Sequence, residues 1–317
     1  MKHTRLAILI IALLALMVLV LAGCGAQEPT QIRMALLPIV DVLPMYVAEQ
    51  NDYFEAQGIQ VELVPVKSSQ ESNALIQAGE VDGMLTDLQG VGLFNQEKAQ
   101  VKALIIARKA YAGSPVFRLL AAPGSQINSP ADLAGIKIGI SKNTVIEYLT
   151  DRMLEGSGLG ADQIVVEHVA AIPVRFEQLM NGQLQAATLP DPLASGAIAA
   201  GATLVVDDSQ FTEYSQSVLA FSVNAIEEKP KTIKKFLVAW NKAVADLNAE
   251  PAAYHDLLIE KGRVPESVQG SYTMPPFPEK EITSETQWAD VVDWMMDKGL
   301  IERDIPYDKA VDTSFLN

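Results

Sequence analysis

Two rhythms alternate along this chain. Short runs that are apolar throughout or at every second residue, at residues 34–39, 59–66, 81–85 and 101–107, predict strands, because successive strand side chains point to opposite faces. Between them lie stretches that read as helices. Residues 43–57 place Pro44 in a first turn and Gly58 at a C-terminal cap, and a shorter helix at 71–78 stops at Gly79. Strand followed by helix, repeated, predicts an α/β unit with parallel strands.

A second such unit begins near residue 129. Ser129 can cap a short helix with Pro130 at its first position, and residues 136–140 (IKIGI) open a new set of strands, continued near 164–168, 185–189 and 203–206. Thr144 and Glu147 have the spacing of a capping box, and Val145, Leu149 and Met153 then recur every four residues along one helix face. From Phe221 onward the pattern turns mostly helical, at 231–250, 251–262 and 284–299. Trp288, Val291, Val292, Trp294 and Met295 share one helical face; core packing and a partner interface are both open to it.

The N-terminus reads differently. Lys2 and Arg5 precede an unbroken apolar run at 6–22, the order of a secretory signal. It ends in Leu21-Ala22-Gly23-Cys24, which resembles the bacterial lipobox; that resemblance implies cleavage after residue 23 and lipid on Cys24. The alternative is an uncleaved anchor helix, and either reading exports and tethers the chain. Residues 24–31 would then be a polar leash. Cys24 is the single cysteine of 317 residues, which excludes an internal disulfide and any multi-cysteine metal site. The net charge of −15 opposes nucleic acid and anionic lipid as partners.

One phrase occurs twice. Residues 75–88 (LIQAGEVDGMLTDL) and 179–193 (LMNGQLQAATLPDPL) each run from a helix end through glycine into a strand, and each meets an aspartate, Asp87 or Asp191, where the strand should stop. In open parallel sheets ligands sit beyond the carboxyl ends of the strands. Each aspartate can serve a ligand, cap the following helix, or do both.

These phrases, together with PMYVAEQNDYFEAQGIQVELV, INSPADLAGIKIGIS and NAIEEKPKTIKKFLVAWNKAV, resemble in order the substrate-binding proteins of ABC importers. The resemblance is to the group that binds nitrate, taurine, alkanesulfonates and thiamine pyrimidine precursors. It implies a two-lobed type II periplasmic binding-protein fold. Lobe one would be 32–117 plus 222–317, lobe two 118–221, and the crossing strands 117–121 and 218–223. The implied role is to capture a small molecule between the lobes as a monomer and deliver it to a membrane permease driven by a separate ATPase, with no catalysis and no cofactor.

By the group's pattern the ligand would meet Asp41, Asp87, Thr144 and Asp191, with Pro38, Leu88, Asn143 and Tyr148 around them. Three converging carboxylates suit an amine, a heterocycle or another hydrogen-bond donor. The basic residues nearest these segments are Lys142 and Arg175, with no reason to place either in the cleft, so a heterocyclic or cationic nutrient is expected ahead of nitrate or sulfonate. A hard cation held by the three aspartates is a rival reading, and so is a sensory lipoprotein. Enzymes that resemble this group use a histidine and a cysteine-rich iron-binding stretch. Here only His168 and His255 would remain after cleavage, far apart in sequence.

Overall fold

The computed structural model describes residues 28–316, so the expected signal and Cys24 lie outside the described residues. Two mixed five-stranded sheets organise the rest. The first holds β1 (Gln31–Leu36), β2 (Gln60–Pro65), β3 (Gly83–Thr86), β4 (Val101–Lys109) and β10 (Gln216–Ser222), in the order β2-β1-β3-β10-β4. The second holds β5 (Phe117–Ala121), β6 (Lys137–Ile140), β7 (Val165–His168), β8 (Ala186–Pro190) and β9 (Thr203–Asp207), in the order β7-β6-β8-β5-β9. In each sheet one strand runs against its neighbours. β10 pairs antiparallel with β3 and β4, and β5 does the same with β8 and β9.

This exchange makes two lobes of one chain. It also moves the expected boundaries, because residues 117–121 belong wholly to the second sheet and 216–222 wholly to the first. The connections are therefore 110–116 and 208–215, and they are tied together. Asp208, fully buried, accepts the backbone N–H groups of Val116 (2.9 Å) and Phe117 (3.0 Å) and the Ser215 hydroxyl (2.6 Å).

The helices that matter for function are α1 (Leu43–Gln50), α2 (Ser69–Gln77), α3 (Leu88–Phe94), α4 (Val145–Gly156), α5 (Ile172–Met180), α6 (Leu193–Ala199), α7 (Pro230–Ala249), α8 (His255–Lys261) and α9 (Glu285–Asp297). The single helix expected over 43–57 breaks at Asp52, whose φ of 55° lies in the left-handed region that aspartate tolerates better than most residues. The break turns Phe54 onto Phe236 of α7, with ring centroids 5.5 Å apart and planes 8° from parallel. Residues 28–31, read from sequence as the end of a leash, are partly held by the fold. The Glu28 carboxylate accepts the Thr232 N–H (2.6 Å) in the first turn of α7, where a negative charge meets free amides and the positive end of the helix dipole.

Three apolar clusters are found among the described residues. Leu36, Leu104, Phe221, Phe236 and Trp240 belong to lobe one, and Leu120, Leu179 and Leu189 to lobe two. The third cluster spans both lobes, with Leu88, Val91 and Phe94 of α3, Val145 and Leu149 of α4, and Trp288, Trp294 and Met295 of α9. The lobes are thus closed on each other. Closure is polar as well as apolar: Trp294 Nε1 donates to Asp151 of lobe two (2.9 Å), and the Tyr148 hydroxyl of lobe two donates to Asp290 of α9.

Candidate functional site

The carboxyl ends of β1, β3, β6 and β8 all face the seam between the lobes. Each carries a residue singled out from sequence. Asp41 lies in the turn (Val40–Val42) that follows β1; Asp87 follows β3; Asn143 and Thr144 follow β6; Asp191 follows β8. Two groupings of the principal sequence candidates result: Asp41 and Asp191 both act on the guanidinium of Arg108, and Asp87 meets the first residue of α4 beside Thr144.

None of these acids is without partners. Asp41 is paired with Arg108 from the end of β4 (Oδ1 to Nη1, 3.4 Å) and accepts the Ser217 hydroxyl of β10 (2.7 Å). Asp191 is paired with Arg118 of β5 (2.5 Å) and accepts both the N–H (3.0 Å) and the hydroxyl (2.8 Å) of Ser195. Arg118 also donates to the Ser195 oxygen (2.6 Å). Both pairs are tightly enclosed, with the side chains of Arg108 and Asp41 at 2% and 7% exposure. Ion pairs at such depth hold only while both members are present, because removing one leaves a desolvated charge.

Burial dominates the electrostatics. It pushes the Asp191 carboxyl above the ordinary carboxylate range, with Arg118, Ser195 and Arg108 acting in the opposite sense. Burial disfavours the charge on Arg108, yet Tyr272, Asp41 and Asp191 together hold the guanidinium above its usual value. Tyr272, from the segment before α9, thus belongs to the same charged floor; its own phenol is raised by burial.

Asp87 bonds in both directions. Its Oδ1 accepts the Gly90 N–H in its own helix α3 (2.7 Å), and its Oδ2 accepts the Val145 N–H at the start of α4 in the other lobe (3.0 Å). Desolvation raises its pKa, with the bonds from Val145 and Gly90 acting against that rise. The start of α4 departs from the expected capping box. Thr144 Oγ1 accepts from Ile146 N (3.2 Å) and not from the third residue on, while Glu147 accepts the N–H of Asn143 (2.6 Å) and not of Thr144. The cause is Asn143, whose φ of 62° turns its amide toward Glu147.

The weaker candidates divide. Asn143 is exposed, and Pro38 is half-buried in the loop after β1. Leu88 is 2% exposed and packs in the shared apolar cluster. Tyr148, 1% exposed, stacks edge-on with Tyr214 and Trp294 and is committed to contact between the lobes. Of the two basic residues considered from sequence, Lys142 is exposed. Arg175 is fully buried inside lobe two, donating to the carbonyls of Thr188 (2.9 Å) and Val169 (2.6 Å), with burial lowering its pKa to about 10.

Sequence reasoning missed Arg108 and Arg118, and with them Ser195, Ser217 and Tyr272. One signal for the arginines was available. Arg108 closes the apolar run 101–107 and Arg118 sits inside FRLLA, so both are charges within strand-like stretches whose ends face the seam. The rival cation site does not fit, since Asp41 and Asp191 are already held by arginines. Among the described residues no group of three or more His, Cys, Asp or Glu could hold a metal ion.

The model of the family described as "NMT1/THI5 like" matches residues 39–254. No curated protein sequence matches the chain. Among solved structures, the periplasmic aliphatic sulphonate binding protein SsuA from Escherichia coli is similar at 18% identity and a TM-score of 0.75, over 90% of this chain and 93% of that one. The alkanesulfonate-binding protein SsuA from Xanthomonas axonopodis pv. citri, bound to MOPS, gives 18% and 0.75 over 91% and 100%. A ligand binding component of an ABC-type import system from Staphylococcus aureus, with zinc bound, gives 12% and 0.73 over 92% and 98%. At such identities the likeness is one of fold.

Proposed function

The chain belongs to the NMT1/THI5-like family and has the two-lobed periplasmic binding-protein fold, and from that premise we propose that it is the solute-capturing component of an ABC importer. Lipid on Cys24 would hold it at the outer face of the membrane. It closes over a small neutral or cationic molecule, of the kind a thiamine pyrimidine precursor exemplifies, and hands it intact to a permease. Binding drives closure because contacts made by both lobes exist only in the closed state, so the ligand shifts the equilibrium by its differential affinity.

One observation carries the ligand class. Three groups in the seam that could receive an anion each have a protein carboxylate: Asp41 on Arg108, Asp191 on Arg118, and Asp87 on the first amide of α4. These three acids exceed the two guanidiniums, which favours a ligand that brings positive charge or hydrogen-bond donors.

A sulfonate ligand is the second reading. It is favoured by Arg108 Nε, which is buried without an acceptor, and by the sulfonate-binding proteins among the structural neighbours. A thermal-shift screen of the full chain in detergent separates the two, since a ligand that binds only the native state raises its melting point. Aminopyrimidines and small amines should raise the midpoint; a response confined to sulfonates would reverse the ranking.

A further inference from the structure

Asp87 does more than cap its helix. A cap needs one oxygen, and Oδ1 supplies it to Gly90 N. The second oxygen crosses between the lobes to Val145 N, 58 residues on. Two amides near it are taken within lobe two, with Ile146 N–H on Thr144 and Asn143 N–H on Glu147. The place for the carboxylate is also cleared. A Cβ at residue 90 would stand 3.2 Å from Asp87 Oδ1 and only 2.4 Å from Thr86 Oγ1, so glycine there leaves room for the acid to lie against α3.

We infer that Asp87 is a specificity-determining residue that excludes anionic ligands, by presenting its own carboxylate to the α4 amide that an incoming anion would otherwise receive. The inference rests on the proposed binding role and deepens it. An anion approaching that amide would have to displace a charge tied to both lobes, and would lie beside it at a separation where like charges repel even at an effective dielectric constant of about 20. A neutral or cationic ligand meets no such obstacle. Asp87 is half-buried, with its carboxylate held between α3 and the start of α4.

The test compares methanesulfonate with methanesulfonamide, similar in shape but different in charge, on the full chain in detergent. Titration calorimetry on the wild type, Asp87→Ser and Asp87→Asn gives the ratio of the two affinities. Serine keeps an acceptor for Gly90 N and removes the crossing oxygen. Asparagine keeps the size, removes the charge, and serves as the variant most certain to fold. The ratio should move toward methanesulfonate by about 10- to 100-fold in Asp87→Ser, the scale on which removing a close like charge acts, and by less in Asp87→Asn. An unchanged ratio in both variants, or no methanesulfonate binding by either at the highest soluble concentration, would overturn the inference. A wild type that already prefers methanesulfonate would instead overturn the proposed ligand class, so the two failures are distinguishable.

Discussion

At the scale of single residues, the unusual feature is how many acids are held in places that disfavour their charge. Asp208 is the clearest, because it serves neither helix nor ligand but the joint between the lobes. Burial pushes its carboxyl from 3.8 up to about 6, against the hydrogen bonds from Ser215, Val116 and Phe117. An acid whose pKa is higher folded than unfolded binds protons more readily in the folded state. Its contribution to stability is therefore complete below the unfolded value and is lost as pH rises through the folded one. A rise of this size corresponds to about 3 kcal/mol. Asp208→Asn cannot titrate, so the stability of the wild type minus that of the variant should fall between about pH 4 and pH 6 and be flat above. Denaturant titrations at a series of pH values measure that difference, in which the other raised acids, Asp87 and Asp191, cancel. A flat profile throughout would mean that Asp208 titrates as an exposed acid does.

Among elements, α9 joins the lobes through its side chains. Gly92 brings α3 against it, since a Cβ there would meet Met295 Sδ at 2.7 Å, and across the seam Asp290 takes both Arg152 Nε (3.1 Å) and Nη2 (3.0 Å) as well as the Tyr148 hydroxyl. Two-pronged pairing of an arginine that is only 21% exposed is worth more than a surface ion pair, which contributes about 0–1 kcal/mol. Asp290→Asn should lower unfolding free energy by about 2 kcal/mol, read by chemical denaturation; a loss within error of zero would place this pair with the inert surface ones. Elements were also where the sequence was most legible. The strands expected at 59–66, 136–140, 185–189 and 203–206 appear at Gln60–Pro65, Lys137–Ile140, Ala186–Pro190 and Thr203–Asp207, because strand and helix periods are local properties of the chain. The aspartates at strand ends were legible for the same reason. Their partners were not: Arg108 lies 67 residues from Asp41, and Arg118 lies 73 from Asp191. Which charge meets which depends on an exchange of strands between sheets, and no local pattern encodes that. Sequence thus located the acids and missed their neutralisation.

For the whole molecule, the proposed function depends on the balance between open and closed arrangements, and a close approach away from the charged floor lets that balance be moved without touching the candidate ligand residues. Gly196 in α6 of lobe two packs beneath Pro265 of lobe one, where a Cβ would fall 2.8 Å from Pro265 Cγ and 3.0 Å from its Cβ. A proline ring cannot swing aside as a methionine tip can. Gly196→Ala therefore pushes the lobes apart by a few tenths of an ångström or more at this contact, while each lobe keeps its own apolar cluster. Helix propensity favours alanine by about 1 kcal/mol, so the intrinsic stability of α6 should not suffer. Closure should. If the clash costs about 1.4 kcal/mol in the closed state alone, ligand affinity falls about tenfold with little change in the unfolding midpoint of the ligand-free chain, because only the fraction of molecules able to close is altered. Affinity by titration calorimetry and particle dimensions by small-angle X-ray scattering check the two halves of the claim. Equal loss of affinity and of stability would show that Gly196 supports the fold of lobe two rather than the closing of the lobes, and unchanged affinity would show that closure tolerates the displacement.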